Sequence, residues 1–201
     1  MKRHGILIVF ILLALGLQAQ DSSIINLVRN AGTAVPSFET TVKNIHIKKG
    51  KTTEQDGSLY FVAPYKFAVI FNTGKYMIVN EKKAKTNMGI FGGTYRLRDG
   101  GMIQSISHIF LYGFQGRCQD LANENDYSLT VKSDSNFHTI IGTPNKKSFL
   151  GLGYKQVIFK YSTKDLLIQE ITLIDYNDTV DTYTITGTIN QVPVDNSRFE
   201  F

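Results

Sequence analysis

The chain has 201 residues, a formal net charge of +5, one cysteine and no tryptophan, and 42% of its residues are hydrophobic. The length suits one domain or at most two small ones, and the ordinary apolar content excludes an intrinsically disordered chain. A disulfide scaffold is excluded because Cys118 has no partner cysteine. Zinc fingers and ribbons are excluded because the sequence lacks clusters of cysteine and histidine.

The first 19 residues have the pattern of a secretory signal peptide. Lys2 and Arg3 precede an apolar run over residues 6–17, and Ala19 is a candidate cleavage residue. The run is about half of the roughly 20 residues that a membrane-spanning helix needs, although an uncleaved anchor is the alternative. We therefore expect an exported protein whose mature part, residues 20–201, is a single domain. Its charge of +3 and its export both argue against nucleic-acid binding.

The mature part begins with a short predicted helix and continues with strands. The helix covers residues 21–31 and ends before Gly32 and Pro36. Asp56-Gly57 and the segment 72–74 have the composition of turns. Alternation of apolar and polar residues predicts strands at residues 38–49, 59–62, 66–71, 76–79, 127–131, 137–141, 156–161, 166–174 and 182–189.

Two features depart from simple alternation. The strands between residues 59 and 79 are apolar at both parities, so we expect a cover on each face of their sheet. Between Asp99 and Gly113 the apolar residues recur with helical spacing, Asp99 is a plausible cap and Gly113 a plausible stop. Four apolar residues define the buried side of this helix: Met102, Ile106, Ile109 and Phe110. The fold class predicted is mainly β with α.

Catalytic and metal-binding signals are weak. The mature histidines, His46, His108 and His138, have no metal-ligand spacing, and Ser107-His108 is more typical of a helix surface than of a nucleophile pair. The Gly151-Leu152-Gly153 segment runs into a strand and not into a helix, so it is rejected as a dinucleotide loop. We expect no enzymatic activity, no cofactor and no metal.

Lysines cluster at residues 48–51, 82–85 and 146–147. Solvated strand edges, where lysine deters aggregation, explain such clusters. A basic face for a partner or for an anionic lipid surface is the functional alternative.

Four segments of the mature chain resemble the LolA family of periplasmic carriers that move lipoproteins to the outer membrane. The first is Pro36-Ser37-Phe38 after the short helix, and the second, residues 57–67, resembles the family's strand with proline and a following phenylalanine. The third, residues 73–80, resembles its glycine-lysine hairpin, and the fourth, residues 194–201, resembles its aromatic ending. The resemblance covers nearly the whole mature chain in the family's order and spacing.

The resemblance implies an incomplete, curved antiparallel β-barrel with a helical lid over an apolar cavity. It also implies acylated lipoproteins or free acyl chains as ligands, an inner-membrane transporter and an outer-membrane acceptor as partners, and a periplasmic location. We expect a monomer. The predicted lid consists of Met102, Ile106, Ile109 and Phe110, and the predicted cavity residues are Leu59, Phe61, Phe67, Val69, Phe71, Tyr76 and Ile78.

One departure concerns the residue before the signature proline. The family commonly has an arginine there, which is thought to latch the lid, whereas this chain has Ala63. Lys66 lies nearby, but alternation places it on the other face from Phe67. The resemblance therefore leaves open how the lid is held.

Physical reasoning suggests that an unloaded carrier closes. An empty apolar cavity of roughly 500 Å³ would cost about 12 kcal/mol, comparable to the whole stability of a domain. We therefore expect the helix to fill the space without a ligand and to swing out on loading. Two alternatives are a regulatory domain of the same fold that senses lipids and a secreted β-sandwich with a filled core.

Overall fold

The computed structural model describes residues 21–88, 92–97, 102–146 and 153–201. Helix α1 includes residues 21–33, and two further helices, α2 (Met102–Phe114) and α3 (Cys118–Asn125), lie between the two groups of strands. A 3₁₀ helix, η1 (Asn196–Phe199), follows the last strand. The strands are β1 (Ser37–Lys48), β2 (Lys51–Val62), β3 (Lys66–Phe71), β4 (Tyr76–Asn80), β5 (Lys83–Thr86), β6 (Gly93–Arg96), β7 (Tyr127–Ser133), β8 (Phe137–Pro144), β9 (Tyr154–Ser162), β10 (Ile168–Asp175) and β11 (Val180–Ile185).

All eleven strands form one antiparallel sheet in the order β6-β5-β4-β3-β2-β1-β11-β10-β9-β8-β7. The first and last strands pair at its centre, with Val42 opposite Ile185, so the edges of the open sheet are β6 and β7. The predicted fold class, mainly β with an incomplete antiparallel barrel and helices, is confirmed. The alternative of a β-sandwich is wrong, because the described strands belong to a single sheet.

The sheet curves around α2. Phe114 of α2 contacts rings of β1, β2 and β3, whereas Gly113 lies against Phe159 and Ile171 in the other half of the sheet. One helix can contact both halves only if the sheet bends towards it. We call the face under α2 the concave face and the opposite one the convex face.

Both faces are covered, as their apolar composition predicts. The core on the concave face packs against α2, whereas η1 lies on the convex face over β3 and β4. Phe199 of η1 is fully buried there, and Asn80 donates a hydrogen bond from its side-chain amide to the Phe199 carbonyl (3.2 Å). Ala68, on the convex side of β3, is also fully buried.

Several predicted boundaries are wrong. Asp56-Gly57 is not a turn but part of β2, and the chain turns at Lys49 and Gly50, which both have positive φ. A side chain at Gly57 would clash with the Ile70 carbonyl oxygen, so a close approach of β3 explains this glycine. Gly113 does not end α2 but lies inside it, and Asp99, the predicted cap, lies outside the described residues.

The signal-peptide prediction concerns residues 1–20, which lie outside the described residues. In the described parts of the chain, none of the helices has the length and apolar character needed to cross a membrane.

Candidate functional site

Five of the predicted cavity residues lie together on the concave face. Leu59 and Phe61 of β2 pair directly with Val69 and Phe67 of β3, and Phe71 follows at the same parity. Each is at most 3% exposed. The placement of these residues on one buried face is confirmed, and their role in binding a lipid stays a prediction.

The predicted placement of Tyr76 and Ile78 is wrong. Cross-strand partners share a face, and these two residues pair with Ile70 and Ala68 on the convex side of β3. Met77 and Val79 of β4 face the concave side instead and are nearly or fully buried. Because every residue of β4 except Asn80 is apolar or aromatic, composition alone does not show which parity faces the core.

Helix α2 covers this face with residues spaced three or four apart. The predicted lid residues Ile109 and Phe110 are buried, whereas Met102 and Ile106 are half-buried along the flank of the helix. Ser107 is also buried, against expectation, and donates to the Ile103 carbonyl within its own helix (2.7 Å). Other buried apolar residues of α2 that were not assigned to the lid are Ile103, Leu111, Tyr112 and Phe114.

Phe110 and Phe114 insert two aromatic rings into the concave face. The Phe114 ring lies 5.5 Å from that of Phe61 and 5.8 Å from that of Phe38, both in edge-on geometry. The Phe110 ring meets Tyr183 edge-on at 4.9 Å and Phe67 at 5.4 Å. Edge-to-face pairs contribute about 0.5–1.5 kcal/mol each beyond their buried area. These aromatic contacts therefore help to hold the helix to the sheet.

A small apolar cavity of about 10 Å³ remains beneath these two rings. A space of that size holds at most about one water molecule. Helix α2 therefore nearly fills the space between itself and the concave face. The cavity lining includes Val42, Leu59, Val69, Ile168, Ile171 and Tyr183.

Polar contacts join the C-terminal end of α2 to the sheet. Tyr161 of β9 donates a hydrogen bond to the Gly113 carbonyl (2.9 Å), and its hydroxyl lies 3.2 Å from Cys118 Sγ. Burial raises the pKa of the Cys118 thiol to about 12 and that of Tyr161 well above its usual value. Both groups therefore stay protonated near neutral pH, which makes them structural and not nucleophilic.

Gln115, just after α2, contacts the turn that follows Ala63. Its buried side-chain amide donates to the carbonyl of Pro64 (3.1 Å) and to the carbonyl of Leu111 (2.8 Å). Ala63 itself donates its backbone N–H to the Pro36 carbonyl (2.8 Å). The position where the resemblance implies an arginine latch is thus bridged from the helical side by a glutamine. Sequence reasoning missed Gln115 because nothing in its local pattern marks it.

A polar network joins the helices to one another. Tyr112 of α2 donates to Glu124 of α3 (2.7 Å), and His108 Nδ1 lies 3.4 Å from the same carboxylate. Arg117 stacks over the Tyr112 ring at 4.7 Å and pairs with Asp120 at 2.6 Å. Burial and the Glu124 carboxylate raise the pKa of Tyr112. Through these contacts α2 and α3 form one layer above the sheet.

The chain is similar in structure to several solved proteins, although no protein-family model matches it and no curated protein is similar to it in sequence. An uncharacterized conserved protein from Thermus thermophilus has 9% identity and a TM-score of 0.50, over 89% of this chain and 91% of that one. This likeness concerns the fold.

Two further solved structures, which have lower TM-scores, have titles that refer to LolA or to lipoprotein sorting. A LolA superfamily protein from Nitrosomonas europaea has 10% identity and a TM-score of 0.43, over 90% of this chain and 97% of that one. A putative outer membrane lipoprotein-sorting protein domain from Vibrio parahaemolyticus has 9% identity and a TM-score of 0.46, over 90% and 96%.

Proposed function

We propose that this protein is a periplasmic carrier that binds the acyl chains of a lipoprotein or of another lipid between the concave face and α2. The observation that supports this best is that an amphipathic helix closes an apolar, aromatic sheet face through two phenylalanines. Binding of this kind needs no reaction at a catalytic group, and the carrier is proposed to be non-enzymatic.

The closed helix and an acyl chain compete for the same surface. Phe110 covers side chains that a hydrocarbon would contact, so a guest can enter only when this ring leaves. Burial of a chain of roughly 16 carbons is worth about 12 kcal/mol, at about 0.8 kcal/mol per CH₂. The free energy needed to move α2 away from the sheet reduces this gain. The net affinity is lower than the burial alone would give, which suits a carrier that must release its cargo.

We further propose that α2 swings about its C-terminal end. The bonds of Gly113 and Gln115 to the sheet side, and the packing of Gly113, fix that end. Met102 and Ile106, towards the N-terminal end, are only half-buried. An opening that lifts the N-terminal part would expose the cavity while the polar contacts at the other end persist.

A covalent bridge across the cavity tests the moving helix. Phe110 and Tyr183, whose rings are 4.9 Å apart, are both replaced by cysteine and joined with a bis-alkylating reagent. Cys118 does not react with the reagent, because it is fully buried and burial raises the pKa of its thiol to about 12. We expect the bridged protein to lose uptake of a fluorescent fatty acid. The same double variant capped with a mono-alkylating reagent is the control and should still load.

The location of the guest is tested separately with a photoreactive fatty acid and peptide mass spectrometry. Adducts are expected on β2, β3 and α2, on residues such as Leu59, Val69 and Phe110. Adducts confined to the convex face would contradict the proposed site. Equal uptake by the bridged and capped proteins would show that loading does not require α2 to move. The lack of any uptake by the wild-type protein would favour a permanently filled core.

The remaining parts of the proposal concern transport. A carrier of this kind would be exported by the signal predicted in residues 1–19, loaded by an inner-membrane transporter and unloaded by an outer-membrane acceptor. Its cargo would be acylated lipoproteins or free acyl chains. Lipids that co-purify with the protein from the cell, identified by mass spectrometry, provide the most direct test of the cargo class.

A further inference from the structure

In the half of the sheet from β3 to β6, the convex side of the strands carries four cations and no carboxylate, whereas η1, which lies over β3 and β4, contains Arg198 and is flanked by Asp195 and Glu200. Strands β3–β6 contain Lys66, Lys83, Lys85 and Arg96 but no aspartate or glutamate. In the register of the sheet, Lys66 lies opposite Asn80, Asn80 opposite Lys83, and Lys83 opposite Arg96. Three cations therefore lie in one row across four strands. Lys85 lies two residues after Lys83 and so shares its side of the sheet. We call these four residues the basic face.

The charges of the basic face are not neutralised by neighbouring carboxylates. Some cations elsewhere in the fold form ion pairs with acids, as Lys43 does with Glu54 at 3.2 Å and Lys160 with Glu170 at 2.8 Å. In the ranges that the structure describes, no carboxylate lies within 4.0 Å of any of the four cations. The Lys66 ammonium donates a hydrogen bond to the neutral amide oxygen of Asn196, at 3.4 Å.

Folding does not explain this arrangement. Like charges directly opposite each other, such as Lys83 and Arg96, destabilise a sheet. Protection of the exposed edge explains a cation on β6, but Lys66 lies on β3, three strands away from that edge. We therefore expect the basic face to bind a ligand whose negative charge compensates these cations.

We propose that the basic face docks the protein on a membrane surface of anionic phospholipids. A layer of anionic headgroups spreads its negative charge over an area. It is bound by several cations that share one face of a protein, and these cations need no fixed geometry towards individual headgroups. A protein partner would be held mainly by exposed aromatic or large apolar anchors. Among the described residues, the large exposed apolar side chains are Leu27, Ile47, Tyr65, Val192 and Phe201, and none of them lies on β3–β6.

Docking of this kind is distinct from cargo binding. The acyl chains are proposed to enter on the concave face, whereas the basic face lies on the opposite side of the same strands. A carrier held on the membrane by its convex face would keep α2 free to open. The two activities can therefore be measured, and can fail, independently.

The test measures binding to vesicles of phosphatidylglycerol and phosphatidylcholine, and to vesicles of phosphatidylcholine alone, using the protein as recovered from the cell. We expect selective binding to the anionic vesicles that weakens at high salt. The triple variant Lys83→Gln, Lys85→Gln, Arg96→Gln should bind about 100-fold more weakly, at about fivefold per cation. A matched variant, Lys43→Gln, Lys155→Gln, Lys160→Gln, removes three cations that are ion-paired elsewhere and should keep its binding within about threefold.

Two outcomes would overturn the proposal. One is equal binding of the wild-type protein to neutral and anionic vesicles, and the other is an equal loss in both triple variants, which would reveal an effect of net charge alone. Circular dichroism and thermal unfolding verify that both variants are folded. Selective vesicle binding without fatty-acid uptake would leave this inference standing while the carrier proposal failed.

Discussion

Gln115 shows how a single side chain can act as an anchor or as a latch. Its amide bridges the end of α2 and the Pro64 carbonyl, next to the position where the resemblance implies a latching arginine. A latch must break when the lid opens, whereas an anchor persists. Since we propose that α2 swings about its C-terminal end, we assign Gln115 to the anchor.

This assignment predicts the behaviour of Gln115→Leu. Loss of the amide removes its hydrogen bonds to the carbonyls of Pro64 and Leu111, so the free energy of unfolding should fall by about 1–3 kcal/mol. The affinity of the folded protein for a fluorescent fatty acid should change by less than about threefold, because the bond is present before and after loading. Chemical denaturation and a binding titration measure the two quantities.

Gln119→Leu provides the control, since Gln119 is exposed on α3 and its side-chain amide donates to the nearby Asn123. It should leave both quantities nearly unchanged. A marked gain in fatty-acid affinity of Gln115→Leu would show that the bond breaks on loading and that Gln115 is a latch.

Individual residues also show where sequence reasoning succeeds. The alternation in β3 correctly assigns Phe67, Val69 and Phe71 to one face and Lys66 to the other, because lysine marks the solvent side. In β4 the same reasoning fails for Tyr76 and Ile78, because both parities are apolar and only the register with β3 determines the face. The glycine of Asp56-Gly57 is misread as a turn because close backbone approach and turn formation both favour glycine.

Gly113 sets the distance between α2 and the sheet. A Cβ at this position would lie 2.8 Å from the Phe159 ring and 3.0 Å from the end of Ile171, both of which are buried. Gly113→Ala should therefore push the helix outward. Overpacking costs about 1–3 kcal/mol, and alanine regains about 1 kcal/mol of helix propensity, so we expect a net loss of about 1 kcal/mol in unfolding free energy.

The matched variant is Gly92→Ala, because a Cβ on Gly92 would meet no atom within 4 Å. It should change stability by less than about 0.5 kcal/mol. If Gly113→Ala were as stable as the wild type or more so, the contact between α2 and β9 would be looser than the structure indicates.

The elements that the sequence predicts are those with strong periodicity. Helix α2 and most of the long strands are predicted, because their apolar residues recur over many positions. The strands β5 and β6 are missed because each has four residues. Their apolar core-facing residues, Ala84 and Tyr95, are too few to give a recognisable alternation. Helix α3 is missed because its few buried residues, such as Cys118 and Leu121, stand among polar ones. Pairing with neighbours, not local sequence, stabilises these elements.

On the scale of the whole molecule, one sheet serves two separate layers. Apolar residues at both parities of β2–β4 predict that each face is covered, and the structure provides α2 on one side and η1 on the other. The sequence does not show which segment supplies each cover, because this depends on contacts between distant parts of the chain. The division of roles is physical: α2 is proposed to leave its face on loading, whereas η1 is a fixed part of the fold.

Phe199→Ala tests this division. Phe199 is fully buried on the convex face, and removal of a buried phenylalanine costs about 3–5 kcal/mol. The free energy of unfolding should fall by that amount in chemical denaturation. Fatty-acid affinity, measured under conditions where the variant is folded, should stay within about threefold of the wild type, because the concave face is unchanged. Phe201→Ala, at a side chain that is 44% exposed, should alter neither quantity appreciably. A large change in fatty-acid affinity with Phe199→Ala would mean that the two faces are coupled, and η1 would then be part of the loading mechanism and not a fixed cover.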